Sequence, residues 1–158
     1  MSRTAQEARI RRLRAADLDH VIEIAQGLSN APQWPREVYV AALDAAAMPR
    51  RIALVVEEAA SGAVAGFAVA SLMPPEAELE TIAIAAKFQR RGFARQLFQA
   101  LATALRQQQV NVTLLEVRAS NGPAQTLYSA LGFEVAGRRP GYYADPVEDA
   151  VIMRLALV

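Results

Sequence analysis

A chain of 158 residues, 53% hydrophobic and 21% charged, has the length of one ordinary globular domain and can bury a core without staples. Its 17 basic and 16 acidic residues leave a net charge of +1, which argues against a dedicated nucleic-acid binder. With no cysteine and one histidine, His20, disulfides, Cys-ligated metals, Cys acyl-enzymes and a multi-His metal site are excluded, and no run of about 18 apolar residues exists to span a membrane.

The segment Met1 to Arg14 carries Arg3, Arg9, Arg11, Arg12 and Arg14 with no apolar stretch behind them, so it is not a secretory signal. An Arg-rich transit segment is one reading. A short frayed arm entering a first strand is the simpler one, and the cytoplasm is the default compartment. The first strand is expected at Ile10 to Arg14. Leu18, Val21, Ile22 and Ala25 then recur at helical spacing within Ala15 to Leu28, with Asp17 as N-cap. Pro32 and Pro35 punctuate a loop. Val38, Ala41, Ala42 and Ala45 predict a second helix running to Pro49.

Three strand-like runs follow. Arg51 to Glu57 and Ala63 to Met73 flank a Ser61-Gly62 turn and read as a hairpin. Glu76 to Ala86 is the third run. After Gly92, residues Phe93, Leu97, Phe98, Leu101 and Leu105 mark one face of a long amphipathic helix. Val110 to Arg118 reads as a strand, Gly122 to Leu131 as a helix ending at Gly132, and Phe133 to Arg138 and Asp149 to Leu157 as the last two strands. The loop Arg139 to Glu148 separates them. The order β-α-α-β-β-β-α-β-α-β-β implies an α/β domain with a mixed sheet and helices on both faces.

The corner Gln89-Arg90-Arg91-Gly92-Phe93-Ala94 joins a strand to a helix. The first N–H groups of a helix lack intrahelical partners and carry the positive end of the dipole. A glycine there lets an anion approach the backbone, and two arginines add charge, so the corner suits a diphosphate. It suits a plain tight turn with two solvated arginines equally well. It is neither a Walker A loop nor a three-glycine dinucleotide fingerprint.

Gln89-Arg90-Arg91-Gly92-Phe93-Ala94 also resembles the Gln/Arg-x-x-Gly-x-Gly/Ala signature of the GNAT superfamily of N-acetyltransferases. Leu115 to Asn121, Ala124 to Tyr128 and Leu131-Gly132-Phe133 resemble the run typical of its ribosomal-protein-alanine N-acetyltransferase branch, and Arg139 to Tyr143 with Glu148 to Met153 its closing segment. The similarity spans roughly Glu78 to Met153, about half the chain. The departure is Ala85-Ala86-Lys87, where the family often has Asp or Asn before Pro, which is expected to change a turn.

The resemblance implies one acetyl-CoA-binding domain over the whole chain, with a twisted, mostly antiparallel sheet of about seven strands. It implies that the corner holds the pyrophosphate of acetyl-CoA, that Ile82, Ala83 and Ile84 pair with its pantetheine arm, and that Asn121 touches the CoA arm besides capping a helix. No metal is expected.

Glu116 lies in the apolar stretch Val112 to Val117, where burial raises a carboxyl pKa toward that of a general base. The residues alone favour a strand-end glutamate paired with Arg118, two positions on and on the same face. The resemblance implies that Glu116 is the base. Tyr128 shares a helix face with Ala124, Leu127 and Leu131 and reads as a packing tyrosine. The resemblance makes it the acid that protonates the leaving thiolate. Glu80, with Glu78 and Ile82 on one strand face, is a second base candidate. The loop aromatics Trp34, Tyr142 and Tyr143 are either packing anchors or recognition groups, and the resemblance implies that they flank the acceptor groove.

The expected reaction is direct acetyl transfer, with Glu116 taking the amine proton and backbone N–H groups near Ile84 holding the thioester carbonyl. The resemblance points to the N-terminal alanine of a small-subunit ribosomal protein. Small-molecule amine acetylation and a non-catalytic acyl-CoA-binding module are the alternatives. The expected state is a monomer or weak dimer.

Overall fold

The computed structural model describes residues 7–157, so residues 1–6 of the Arg-rich arm lie outside the described residues. Seven strands form one sheet: β1 (Ala8–Arg12), β2 (Arg51–Glu58), β3 (Val64–Met73), β4 (Glu76–Ile84), β5 (Val112–Arg118), β6 (Glu134–Tyr143) and β7 (Glu148–Ala156). Their spatial order is β1-β2-β3-β4-β5-β7-β6. Every pairing is antiparallel except β4 with β5. The helices are α1 (Leu18–Gln26), α2 (Arg36–Leu43), α3 (Phe93–Gln107) and α4 (Gly122–Ala130).

The near-continuous apolar runs of β2 and β3 are buried on both sides. Ile52, Leu54 and Val56 join Ala68 and Ala70 against Phe93, Leu97, Leu101 and Leu105 of α3. Ala53, Val55, Phe67 and Val69 face the other way, onto Leu18, Val21 and Ala25 of α1 and Tyr39 and Ala42 of α2. A sheet covered on both faces has no polar side to alternate with, which is why these strands read as apolar runs.

Two features of β4 shape the middle of the molecule. Its register against β3 shifts between Val69 and Ala70, because Leu79 faces Ala70 and Thr81 faces Val69. Glu80 is the extra, bulged residue. A bulge bends its strand and resets the alternation of side chains. Hence Ala77 and Leu79 on one side of it, and Ile82 and Ile84 on the other, all point under α3. The expectation that Ile82 shares a face with Glu78 and Glu80 is corrected by this bulge. The pairing of β4 with β5 covers only Glu76–Glu78 against Val112–Leu114. Beyond it the two strands continue separately and leave a gap.

Several boundaries differ from the sequence reading. The first strand lies two residues earlier, at Ala8–Arg12. The second helix stops at Leu43, because the Asp44 carboxylate accepts the Ala46 N–H (2.9 Å) and closes a local turn ahead of Pro49. The penultimate strand reaches Tyr143 instead of Arg138, so Tyr142 and Tyr143 stand on β6 and not in a loop. The Ala85-Ala86-Lys87 departure falls at a short 3-10 turn, Ala86–Phe88. Among the described residues no helix is long and apolar enough to cross a membrane, and no cluster of His, Cys, Asp and Glu has metal-binding geometry.

Asp17 stands at the start of α1, but its side chain caps no helix N–H. It accepts from both terminal nitrogens of Arg11 (2.7 and 2.8 Å) and from the Arg14 N–H (2.8 Å), fastening β1 to the chain entering α1. The Arg11 bonds hold the Asp17 carboxyl below its ordinary 3.8, against an opposing contribution from burial. A depressed carboxyl pKa stabilises the fold above the unfolded-state value, and the contribution is lost as pH falls through the folded value. Asp17→Ala therefore costs about 2 kcal/mol at pH 7. Urea titrations at several pH values should show the gap to the parent narrowing below about pH 4.

Candidate active site

The gap beside β4 opens into a cavity of about 410 Å³. One wall is Ile82, Ala83 and Ile84 at the end of β4, followed by Phe88, Gln89 and Arg90. The end is Gly92, Phe93, Ala94 and Arg95 at the start of α3. The opposite wall is Ala124, Leu127 and Tyr128 of α4, and Leu28, Asn30 and Ala31 from the α1–α2 connection form a rim. Of the cofactor-binding residues expected from sequence, Arg91 and Asn121 are absent from this lining.

Local chemistry builds the corner. Gly92 is the N-cap of α3 at φ +85°, a left-handed conformation that other residues enter only with strain. The first helical bond runs from the Gln96 N–H to the Gly92 carbonyl (3.2 Å), so the N–H groups of Phe93, Ala94 and Arg95 precede it. Gln89 donates from Nε2 to the Ile84 carbonyl (2.9 Å), tying the loop back to β4. Arg90 is exposed at φ +63° and forms no ion pair with a described residue. Arg91 instead pairs with Glu58 (3.2 Å) and lies over the Phe88 ring. The second arginine of the cavity is Arg95, which donates to the Ala130 carbonyl (3.2 Å). Three leading amides, the dipole of α3 and two guanidinium groups make this end of the cavity suited to an anion.

Asn121 caps α4: its Oδ1 accepts the Ala124 N–H (3.2 Å). Its Nδ2 donates to the Asn30 carbonyl (3.3 Å), which fastens the rim of the cavity. Tyr128 packs edge-on against Phe133 (6.0 Å between centroids). Burial, with a smaller contribution from Tyr143, pushes its phenol up to about 12. It is therefore protonated throughout the physiological range.

A second cleft of about 260 Å³ lies over the paired ends of β4 and β5, next to the point where they part. It is lined by Ser71, Met73, Glu76, Ala77, Glu78, Leu114, Leu115, Glu116, Arg139 and Ile152. Thr113, Leu115 and Val117 of β5 are buried, while Glu116 belongs to the alternate, partly exposed set. Glu116 lies 3.5 Å from Arg139, and Arg118 pairs with Glu148 (3.3 Å) instead of with Glu116. The Tyr142 phenol is raised chiefly by its hydrogen bond to Glu116 and then by the charge of that carboxylate. Glu78 is raised by desolvation first, then by Glu80 and Glu116. Glu80 itself is engaged by Arg51 (2.6 Å).

The structure thus brings Glu78, Glu116, Arg139 and Tyr142 together on one side, and Tyr128 with the α3 corner on the other. Tyr143 sits beneath the guanidinium of Arg118, 4.4 Å from it. Trp34 is set apart: it is partly buried, 5.3 Å from Tyr39, and packs on the α1–α2 side of the sheet.

Gly66 was not legible as a site residue. It faces Ile84 across the β3–β4 ladder, and an added Cβ would collide with the Ala83 carbonyl and the Ile84 side chain. This glycine lets β3 approach the stretch of β4 that walls the cavity. Gly66→Ala is expected to cost roughly 1–3 kcal/mol by forcing β3 and that wall of the cavity apart. A thermal melt of the variant checks it.

With this geometry in hand, comparison with known proteins is informative. Residues 17–133 match the acetyltransferase (GNAT) family. The chain is 32% identical over 147 residues to a Bacillus subtilis protein provisionally named ribosomal protein bS18-alanine N-acetyltransferase, covering 93% of this chain and 94% of that one. It is 41% identical over 99 residues to the ribosomal protein bS18-alanine N-acetyltransferase of Escherichia coli strain K12, covering 61% of this chain and 67% of that one. A crystal structure of the ribosomal-protein-S18-alanine N-acetyltransferase from Escherichia coli superposes with a TM-score of 0.79 at 33% identity, covering 96% of this chain and 94% of that one.

Proposed function

The chain belongs to the GNAT family of acetyltransferases and is an N-acetyltransferase, and on that premise we propose that it moves the acetyl group of acetyl-CoA directly to a protein α-amine. The proposed acceptor is the N-terminal alanine of a small-subunit ribosomal protein. The names of the relatives support that choice.

The observation that carries the reading is the pair of cavities flanking the parted strands. The first offers an anion-suited helix start at one end and apolar walls from Ile82, Ala83 and Ile84. These fit a diphosphate and an extended pantetheine arm respectively. The amides of Phe93, Ala94 and Arg95, with Arg90 and Arg95, would hold the diphosphate. Asn121 would act on the cofactor side by keeping the Asn30 rim in place. Arg91, engaged by Glu58, would brace the corner from behind.

Glu116 would take the proton of the attacking amine in the second cleft. An α-amine has a pKa of about 8 and is partly neutral already, so a single carboxylate is an adequate base. Glu78, which lines the same cleft, would add negative potential that draws the ammonium form in, while Glu80 stays paired with Arg51. Tyr142 and Tyr143 would border the acceptor peptide. Tyr128 would donate its proton toward the sulfur as it departs. With a phenol near 12 it is a weak acid, so it gives up the proton only as negative charge builds on that sulfur.

The test is a mass-shift assay with acetyl-CoA and peptides starting with alanine, serine or methionine, alongside an α-blocked peptide containing lysine. The expected result is one acetyl group on the α-amine of the alanine peptide and none on the blocked one. Acetylation of polyamines or lysine in preference to every free N-terminus would overturn the proposed acceptor.

A further inference from the structure

Glu116, Tyr128 and the tyrosine pair Tyr142–Tyr143 sit on three different elements: β5, α4 and the end of β6. Something must hold these three in register, and the backbone ladder is interrupted on the way to the tyrosines. The β6–β7 pairing, already shifted once between Val135 and Gly137, resumes through Arg139↔Ala150 and then breaks until Tyr143↔Glu148. Tyr142 therefore lies in an unpaired stretch, and Tyr143 is held by a single pair beyond it.

Arg118, at the end of β5, reaches into that stretch. Its Nη1 donates to the Pro146 carbonyl and to Glu148 Oε2 (3.3 Å each), and its Nη2 donates to the Ala144 carbonyl (3.3 Å). Its guanidinium lies 4.4 Å from the centre of the Tyr143 ring. The same Glu148 accepts the Ser120 N–H with its other oxygen, in the turn just ahead of the Asn121 cap of α4. Hydrogen bonding from Ser120, then from Arg118, holds the Glu148 carboxyl below the usual range, so the pair stays charged at neutral pH. One planar fork thus engages a ring face, two carbonyls and a carboxylate at once, a set that an ammonium cannot satisfy.

We infer that Arg118 is a positioning residue for the acceptor side of the reaction: its fork, closed by Glu148, clamps the turn 144–147 and stacks on Tyr143, so that Tyr142 and Tyr143 stand over Glu116. This rests on the reading of Glu116 and the tyrosines as the acceptor site. Arg118 lines neither cavity. It acts through Tyr143 and the turn, not on the reacting atoms.

The experiment compares Arg118→Met and Arg118→Lys with the parent by steady-state kinetics, varying the alanine-initiated peptide and acetyl-CoA separately. Arg118→Met should raise the peptide KM about 10- to 100-fold, while KM for acetyl-CoA and Kd for CoA stay near parent values. Arg118→Lys should recover only part of the loss. Amide hydrogen exchange gives a readout without activity. In Arg118→Met the Gly141 amide, bonded to Asp149 Oδ1 (3.0 Å), should exchange faster while the amides of α3 do not. Unchanged exchange at residues 141–147 would overturn the clamp. A parallel rise in both KM values, or a full rescue by lysine, would overturn the acceptor-specific role. If the parent acetylates no N-terminal peptide at all, the functional reading fails and the acceptor role falls with it, while the exchange data still decide whether the clamp exists.

Discussion

Replacing Glu116 by glutamine should lower kcat for peptide acetylation about 10²- to 10⁴-fold while CoA affinity stays close to that of the parent. The variant keeps size and hydrogen bonding but cannot accept the amine proton. Its position explains why binding should survive: Glu116 lines the second cleft and is absent from the lining of the first cavity. Tyr128→Phe should give a loss of similar sense, about 10²-fold, because the ring still packs on Phe133 while the proposed proton donor is gone. The pH profile should distinguish the two roles. Activity should climb through about pH 8 as the α-amine deprotonates. It should not fall at pH 10, where an ordinary tyrosine ionises, because burial keeps Tyr128 protonated to about 12. Initial rates from pH 6 to 10.5 check both limbs.

Gly92→Val should strike the other half of the reaction. The residue sits at φ +85°, where a β-branched side chain is strained, and its new methyl groups would stand beside the leading amides of α3. CoA affinity should drop about 10- to 100-fold, the equivalent of roughly 1.4–2.8 kcal/mol. Affinity for pantetheine, which lacks the diphosphate, should change far less. Calorimetric titration with both ligands separates a lost anion site from a damaged fold. A variant with unchanged CoA affinity would contradict the assignment of this corner.

The sequence revealed what is local. Gln89 to Ala94 carries its own geometry: a left-handed glycine, a helix start and arginines lie within six consecutive residues. Asn121 ahead of Pro123 likewise announces a capped helix, and the cap is there. What stayed hidden depends on partners distant in the chain. Arg91 and Arg90 are equivalent in sequence, yet Glu58 on β2 draws one of them out of the cavity. Gly66 looks like an ordinary strand glycine until Ala83 and Ile84 are packed against it. The bulge at Glu80 leaves no mark in a run of alternating residues, and it is what puts Ile82 on a different face from Glu78. Arg139 and Tyr142 read as loop residues because Pro140, Gly141 and Pro146 suggest a break. They extend β6 with an irregular register and reach Glu116.

The central claim is that the start of α3 grips a diphosphate and so aims a thioester along β4. Titration of the ¹⁵N-labelled protein with CoA, read at the backbone amides, tests it most directly. The account predicts large, saturable shifts at Phe93, Ala94 and Arg95, which pantetheine alone does not reproduce. Saturation by CoA with those three amides unmoved, and the shifts concentrated elsewhere, would contradict it.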